Sequence, residues 1–133
     1  MRYLLDTHTL LWMFHGDPHL SQAAAEAILS PANELFFSLA GYWEICLKYS
    51  LGKLTLKPGW PQVLDREMAR NGIQWLPIQK EHLLGVLDLP FLHRDPFDRL
   101  LVAQARHEQM VIKICTCTTY RSCGKYRPSE SLL

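Results

Sequence analysis

Apolar positions change period several times along the chain, and each change predicts an element. Arg2 to Leu5 forms a short run ending in Asp6 and reads as a buried strand; Thr7-His8-Thr9 then opens a helical spacing, Leu10, Leu11 and Phe14, that stops at Gly16-Asp17-Pro18. Ser21 is placed to cap a helix carrying Ala24, Ala25, Ala27, Ile28 and Leu29, which ends before Pro31. Leu35 to Ser38 predicts the next strand. From Leu39 the spacing is helical again, with Leu39, Tyr42, Trp43, Cys46 and Leu47 as its apolar stripe, until Leu51-Gly52 closes it. Pro58-Gly59-Trp60-Pro61 predicts a rigid turn into a helix from Gln62 to about Arg70. Ile73 to Ile78 alternates as a strand that Pro77 pushes towards a sheet edge, and Lys80 to Leu87 is a short helix broken by Leu89-Pro90. Met110 to Ile114 is the last clear strand.

The stretch from His93 to Ala105 is the most informative. Asp95 before Pro96 predicts a helix N-cap followed by proline at the first helical position, because Asp accepts the orphan N–H bonds and Pro has no N–H to leave unpaired. Asp98, Leu101, Val102 and Ala105 then share one face, so a carboxylate heads the stripe expected to face the core. Asp98 reads either as part of an approximate capping box with Asp95 or as a functional acid, since buried charges are paired or bound to metal.

Two other acids carry the same ambiguity. Asp6 stands at the carboxyl end of the first strand, the edge where ligands bind in open α/β sheets, and equally well placed to cap the helix after it. Glu44 lies on the flank of its apolar stripe with Lys48 four residues on, which on its own predicts a solvated ion pair of a few tenths of a kcal/mol.

Strands near 2–6, 35–38, 74–78 and 110–114 separated by helices predict an α/β fold with a parallel sheet covered on both faces. The chain has 133 residues, which fit a single domain, 1–133, with a core over 1–114 and an atypical segment over 115–133 that is polar and basic until Leu132-Leu133. With 48% hydrophobic and 20% charged residues the composition is that of a globular protein. A formal charge of +1 carries no general signature of nucleic-acid binding, so such a partner would be held by a local patch. Asp6 interrupts the first apolar run and no run approaches the roughly 18 residues of a membrane span, so no membrane association and a cytosolic protein are expected. Cys46, Cys115, Cys117 and Cys123 make a poor disulfide framework, and the three clustered ones lack an evident fourth zinc ligand.

Three segments together, Leu4-Leu5-Asp6-Thr7-His8-Thr9-Leu10-Leu11-Trp12, Trp43-Glu44-Ile45 with Lys48 and Leu51-Gly52-Lys53-Leu54, and His93-Arg94-Asp95-Pro96-Phe97-Asp98-Arg99-Leu100-Leu101, resemble the PIN-domain family, most closely the VapC-type toxins of bacterial toxin–antitoxin pairs. The resemblance runs from residue 1 to about 112. It implies a three-layer α/β/α domain with a central, mainly parallel sheet, whose acids bind Mg²⁺ or Mn²⁺ and hydrolyse RNA. It also implies a homodimer and an antitoxin partner, for which Trp12, Phe14, Tyr42, Trp43 and Tyr49 are candidate covered surface, ordinary core packing being the alternative.

In that resemblance Asp6, Glu44 and Asp98 match the family's first three acids and are the expected metal-binding and catalytic residues, with Asp95 a cap or supporting acid. Hard divalent cations take oxygen ligands, so carboxylates from distant segments suffice for such a site. Thr7, Ser38 and Thr116 are expected to support the carboxylates from behind. Arg94, Arg99 and His8 are candidates for substrate contact. The departure is at the end: where the family carries a further acid, Met110-Val111-Ile112-Lys113-Ile114 leads into Cys115-Thr116-Cys117, and no Asp or Glu follows until Glu130. A hydroxyl is a weak substitute for a carboxylate around Mg²⁺, so a degenerate domain that binds its partners but cleaves poorly is the alternative expectation.

Overall fold

The computed structural model describes residues 1–15, 20–90 and 95–113. Four strands, β1 (Arg2–Leu5), β2 (Glu34–Ser38), β3 (Ile73–Leu76) and β4 (Val111–Lys113), form an all-parallel sheet in the order β3-β2-β1-β4. Between them run α1 (Thr7–His15), α2 (Gln22–Leu29), α3 (Leu39–Ser50), α4 (Trp60–Arg70), α5 (Lys80–Gly85) with a 3-10 turn over Val86–Asp88, and α6 (Pro96–Glu108). The α/β/α expectation holds.

Side chains alternate across each strand, so the sheet feeds two cores. Leu5, Leu35, Phe37 and Ile73 pack on one face with Leu10, Leu11, Phe14, Ile28, Ile45, Trp60, Leu64 and Met68. On the other, Leu4, Phe36 and Leu76 meet Leu101, Ala105 and Met110, so α6 covers that face. Burial on both sides is why β2 reads Leu-Phe-Phe without polar alternation.

Several expectations shift. Helix α4 starts at Trp60, capped by Gly59 in the left-handed region at φ 83°, and β3 ends at Leu76, leaving Pro77 beyond an edge strand whose ladder it does not interrupt. Trp12 and Phe14, candidates for covered surface, are core residues. The largest change is in α3, whose expected core stripe is split: Tyr42 and Cys46 pack part-buried on the core and Ala40, Gly41, Glu44 and Ile45 are buried, whereas Leu39, Trp43 and Leu47 are exposed.

The strand order sets the site. From β1 the sheet grows through β2 and β3 on one side and ends with β4 on the other, so a crevice opens at the carboxyl end of β1. Asp6 is the residue that follows β1.

Candidate metal centre

Asp6 Oδ1 accepts the Thr9 backbone N–H at 2.8 Å, which caps α1 and fixes the carboxylate at the sheet edge. Burial pushes the Asp6 carboxyl above the usual carboxylate range; the Thr9 hydrogen bonds and the His8 charge pull it down, and the Glu44 charge pushes it up again. The cap and the functional position are therefore the same residue.

Glu44 arrives from β2. Ser38 ends that strand, and its hydroxyl accepts Ala40 N–H at 3.0 Å to start α3. Gly41 then lets the helix lie close: a Cβ there would stand 2.7 Å from Phe37 Cε2 and 3.1 Å from Thr7 Oγ1. That approach turns Glu44 inward to 5% exposure, and Lys48 Nζ meets its Oε2 at 3.0 Å. The expected ion pair forms, but its carboxylate is buried rather than solvated, so the bland surface reading of Glu44 fails.

Asp98 arrives from the opposite side. Asp95 Oδ1 accepts Phe97 N–H at 2.9 Å and Pro96 occupies the first turn, the predicted cap. Asp98 follows half-buried in that turn. The Trp43 and Phe97 rings, which precede Glu44 and Asp98, meet edge-on with centroids 5.0 Å apart and tie α3 to α6 beside the acids.

Asp6 and Glu44 thus lie close enough for one charge to shift the other, and α6 delivers Asp98 at the same edge. Asp6 and Glu44 interact electrostatically, and Asp98 stands in the first turn of α6, which leads into the parallel strand β4. Among the described residues, the group of three whose ligand atoms all lie within 4.8 Å is instead His82, His107 and Glu108.

The supporting residues divide. Thr7 Oγ1 is buried with no hydrogen-bond partner among the described residues. The Ser38 hydroxyl, expected to serve a carboxylate, donates to Gln104 Oε1 at 2.5 Å instead. Arg99 donates to Pro90 O at 3.0 Å, Val86 O at 3.1 Å and Leu89 O at 3.4 Å, tethering the 3-10 turn. His8 stacks obliquely on Trp12, centroids 5.8 Å apart. Arg94 and Thr116 lie outside the described residues.

An all-oxygen set of Asp6, Glu44 and Asp98, with the unpartnered Thr7 hydroxyl behind it, fits a hard divalent cation. The histidine group does not. His82 Nδ1 accepts Gln79 N–H at 3.1 Å, so its proton sits on Nε2 and donates to Glu108 Oε1 at 2.9 Å. A metal at Nε2 would need the other tautomer, which would set an N–H against the Gln79 N–H. Ten residues separate Glu108 from Asp98, roughly 15 Å along α6, so this group is also remote from the acids.

Sequence reasoning missed Gln104, fully buried between Ser38 and His82. A lone polar residue within Val102-Ala103-Gln104-Ala105 was the available signal. It missed Gly41 too, because nothing local marks a helix–sheet close approach.

A family model described as the PIN domain matches residues 3–116. No curated protein matches the chain in sequence. Among solved structures, VapBC2 from Rickettsia felis, bound to a DNA fragment from its promoter, superposes with a TM-score of 0.66 at 18% identity, over 93% of this chain and 95% of that one. A toxin–antitoxin complex from Klebsiella pneumoniae gives 0.55 at 19% identity, over 96% and 98%. At such identities the likeness is one of fold.

Proposed function

This chain belongs to the PIN-domain family, and from that premise we propose that it is a Mg²⁺- or Mn²⁺-dependent endoribonuclease, the toxin of a toxin–antitoxin pair. The observation that carries the reading is Asp6, a carboxylate held at the sheet's crevice in an environment that penalises its charge, facing a second buried acid, Glu44. Folds place unfavourable charges where a bound cation repays them.

Asp6, Glu44 and Asp98 are the residues that would hold the cation. When bound, such a cation would supply Lewis-acid polarisation of a phosphoryl oxygen and acidification of water. Lys48 holds the Glu44 carboxylate by its contact at 3.0 Å, while Asp95 sets the start of α6 and through it the position of Asp98. The structural neighbours are toxin–antitoxin assemblies, which supports an antitoxin and a second copy of the chain as partners.

The absence of any acid between Glu108 and Glu130 favours a second reading, a degenerate domain that retains those partners and cleaves weakly. Incubating the purified, antitoxin-free protein with a mixed single-stranded RNA pool in Mg²⁺ or Mn²⁺, beside EDTA and Asp98→Asn controls, separates the two. Cleavage lost in both controls is the expected result. A folded protein that leaves the pool intact would establish the degenerate domain.

A further inference from the structure

Trp43 is 58% exposed, an unusual state for a tryptophan, and it is not loose. Its edge-on contact with Phe97 at 5.0 Å holds the indole between α3 and α6. Each ring is the immediate chain neighbour of an acid, Trp43 of Glu44 and Phe97 of Asp98, so their contact brings α3 and α6 together one residue from each acid. Resting on the nuclease reading above, we propose that Trp43, supported by Phe97, is a stacking platform for one unpaired base of single-stranded RNA, next to the phosphodiester that is cut.

The charge of the molecule leads to the same point. Acids that gather for a cation repel phosphate, and the chain has little positive charge to offset this, with 14 Lys and Arg against 13 Asp and Glu. Lys48 is engaged with Glu44, and Arg99 bonds backbone carbonyls. Uncharged contacts can then supply part of the affinity for a nucleic acid. Every base offers a π-face to an exposed indole, and only an unpaired base can reach it, so the geometry selects single strands over duplex. An indole fixed beforehand loses little freedom on binding.

The test pairs protein variants with substrate variants. Wild type, Trp43→Ala and Trp43→Phe are assayed with a short single-stranded RNA and with versions carrying one abasic nucleotide at each position around the cut. Trp43→Ala should raise KM about tenfold or more with kcat changed far less, from the usual worth of one base–aromatic stack, and Trp43→Phe should recover most of the loss. One abasic position should weaken wild type by a similar factor and leave Trp43→Ala unaffected. A wild type that cuts RNA while Trp43→Ala keeps its KM overturns the platform and leaves the nuclease standing. If Trp43→Ala instead changes the mass measured by light scattering, alone or with antitoxin, at unaltered RNA affinity, the ring belongs to a protein interface. A wild type that neither binds nor cuts any RNA overturns the nuclease reading and the platform with it.

Discussion

Helices α3 and α4 carry the same device with opposite outcomes. Each sets a tryptophan and two large apolar residues four apart, Leu39, Trp43 and Leu47 in α3 and Trp60, Leu64 and Met68 in α4. In α4 they are the core, exposed by 7%, 1% and 1%. In α3 they face outward, at 41%, 58% and 39%, and the helix buries Ala40, Gly41, Glu44 and Ile45 instead. Hydropathy decides the facing of α4, which docks over a wide core through long side chains. Approach distance decides α3: it leaves β2 directly at Ser38, and only a residue without a side chain fits at Gly41 against the Phe37 ring. The consequence is functional, since the same rotation brings Glu44 inward and Trp43 outward.

Truncating the two stripes sharpens the contrast most. Leu64→Ala should cost about 2–5 kcal/mol of unfolding free energy in denaturant titration, as for a buried leucine that leaves a cavity. Leu47→Ala, at the matching position of α3, should cost less than about 1 kcal/mol, and an equal loss would mean that the α3 stripe is covered within the monomer. Gly41→Ala breaks the comparison from the other side. The added methyl meets a fully buried ring, so a loss of about 1–3 kcal/mol is expected, together with weaker Mg²⁺ binding as α3 is pushed off and Glu44 with it; calorimetric titration reads the second effect.

The smallest effect has the opposite sign. Asp6→Asn keeps a side-chain acceptor for the Thr9 N–H but deletes the penalised charge, so in EDTA near neutral pH the variant should melt higher than wild type, by a few °C. The wild type's carboxyl titrates higher in the fold than in the unfolded chain. Its contribution is therefore favourable below the unfolded value and is lost as pH rises through the folded one, so the gap in melting temperature should widen as pH rises above the ordinary carboxylate range. Mg²⁺ should raise the melting temperature of wild type and not of the variant. A variant that melts lower at every pH would mean that Asp6 serves only as a cap.

Much of the candidate site was legible because its signals are local. Asp95-Pro96 marks a helix start from the chemistry of two adjacent residues, and Asp6 at a strand end follows from a change of period one residue later. Glu44 was harder, because a Glu with Lys four residues on looks the same whether its helix turns that face in or out. Gln104 was marked only as a lone polar residue in an apolar run, and its role was not legible, since its partners Ser38 and His82 are 66 and 22 residues away.

By itself, then, the sequence determined the element order, the parallel α/β sheet, Asp6 at its carboxyl edge and the helix start at Asp95-Pro96, because periodicity, caps and turns depend on neighbours a few positions apart. Only the tertiary structure decided which face of α3 is buried, that Glu44 loses its solvent, and that Ser38 serves Gln104. Those outcomes depend on how closely elements distant in the chain can approach, and that distance is set by side chains such as Gly41 and Phe37 only once they meet.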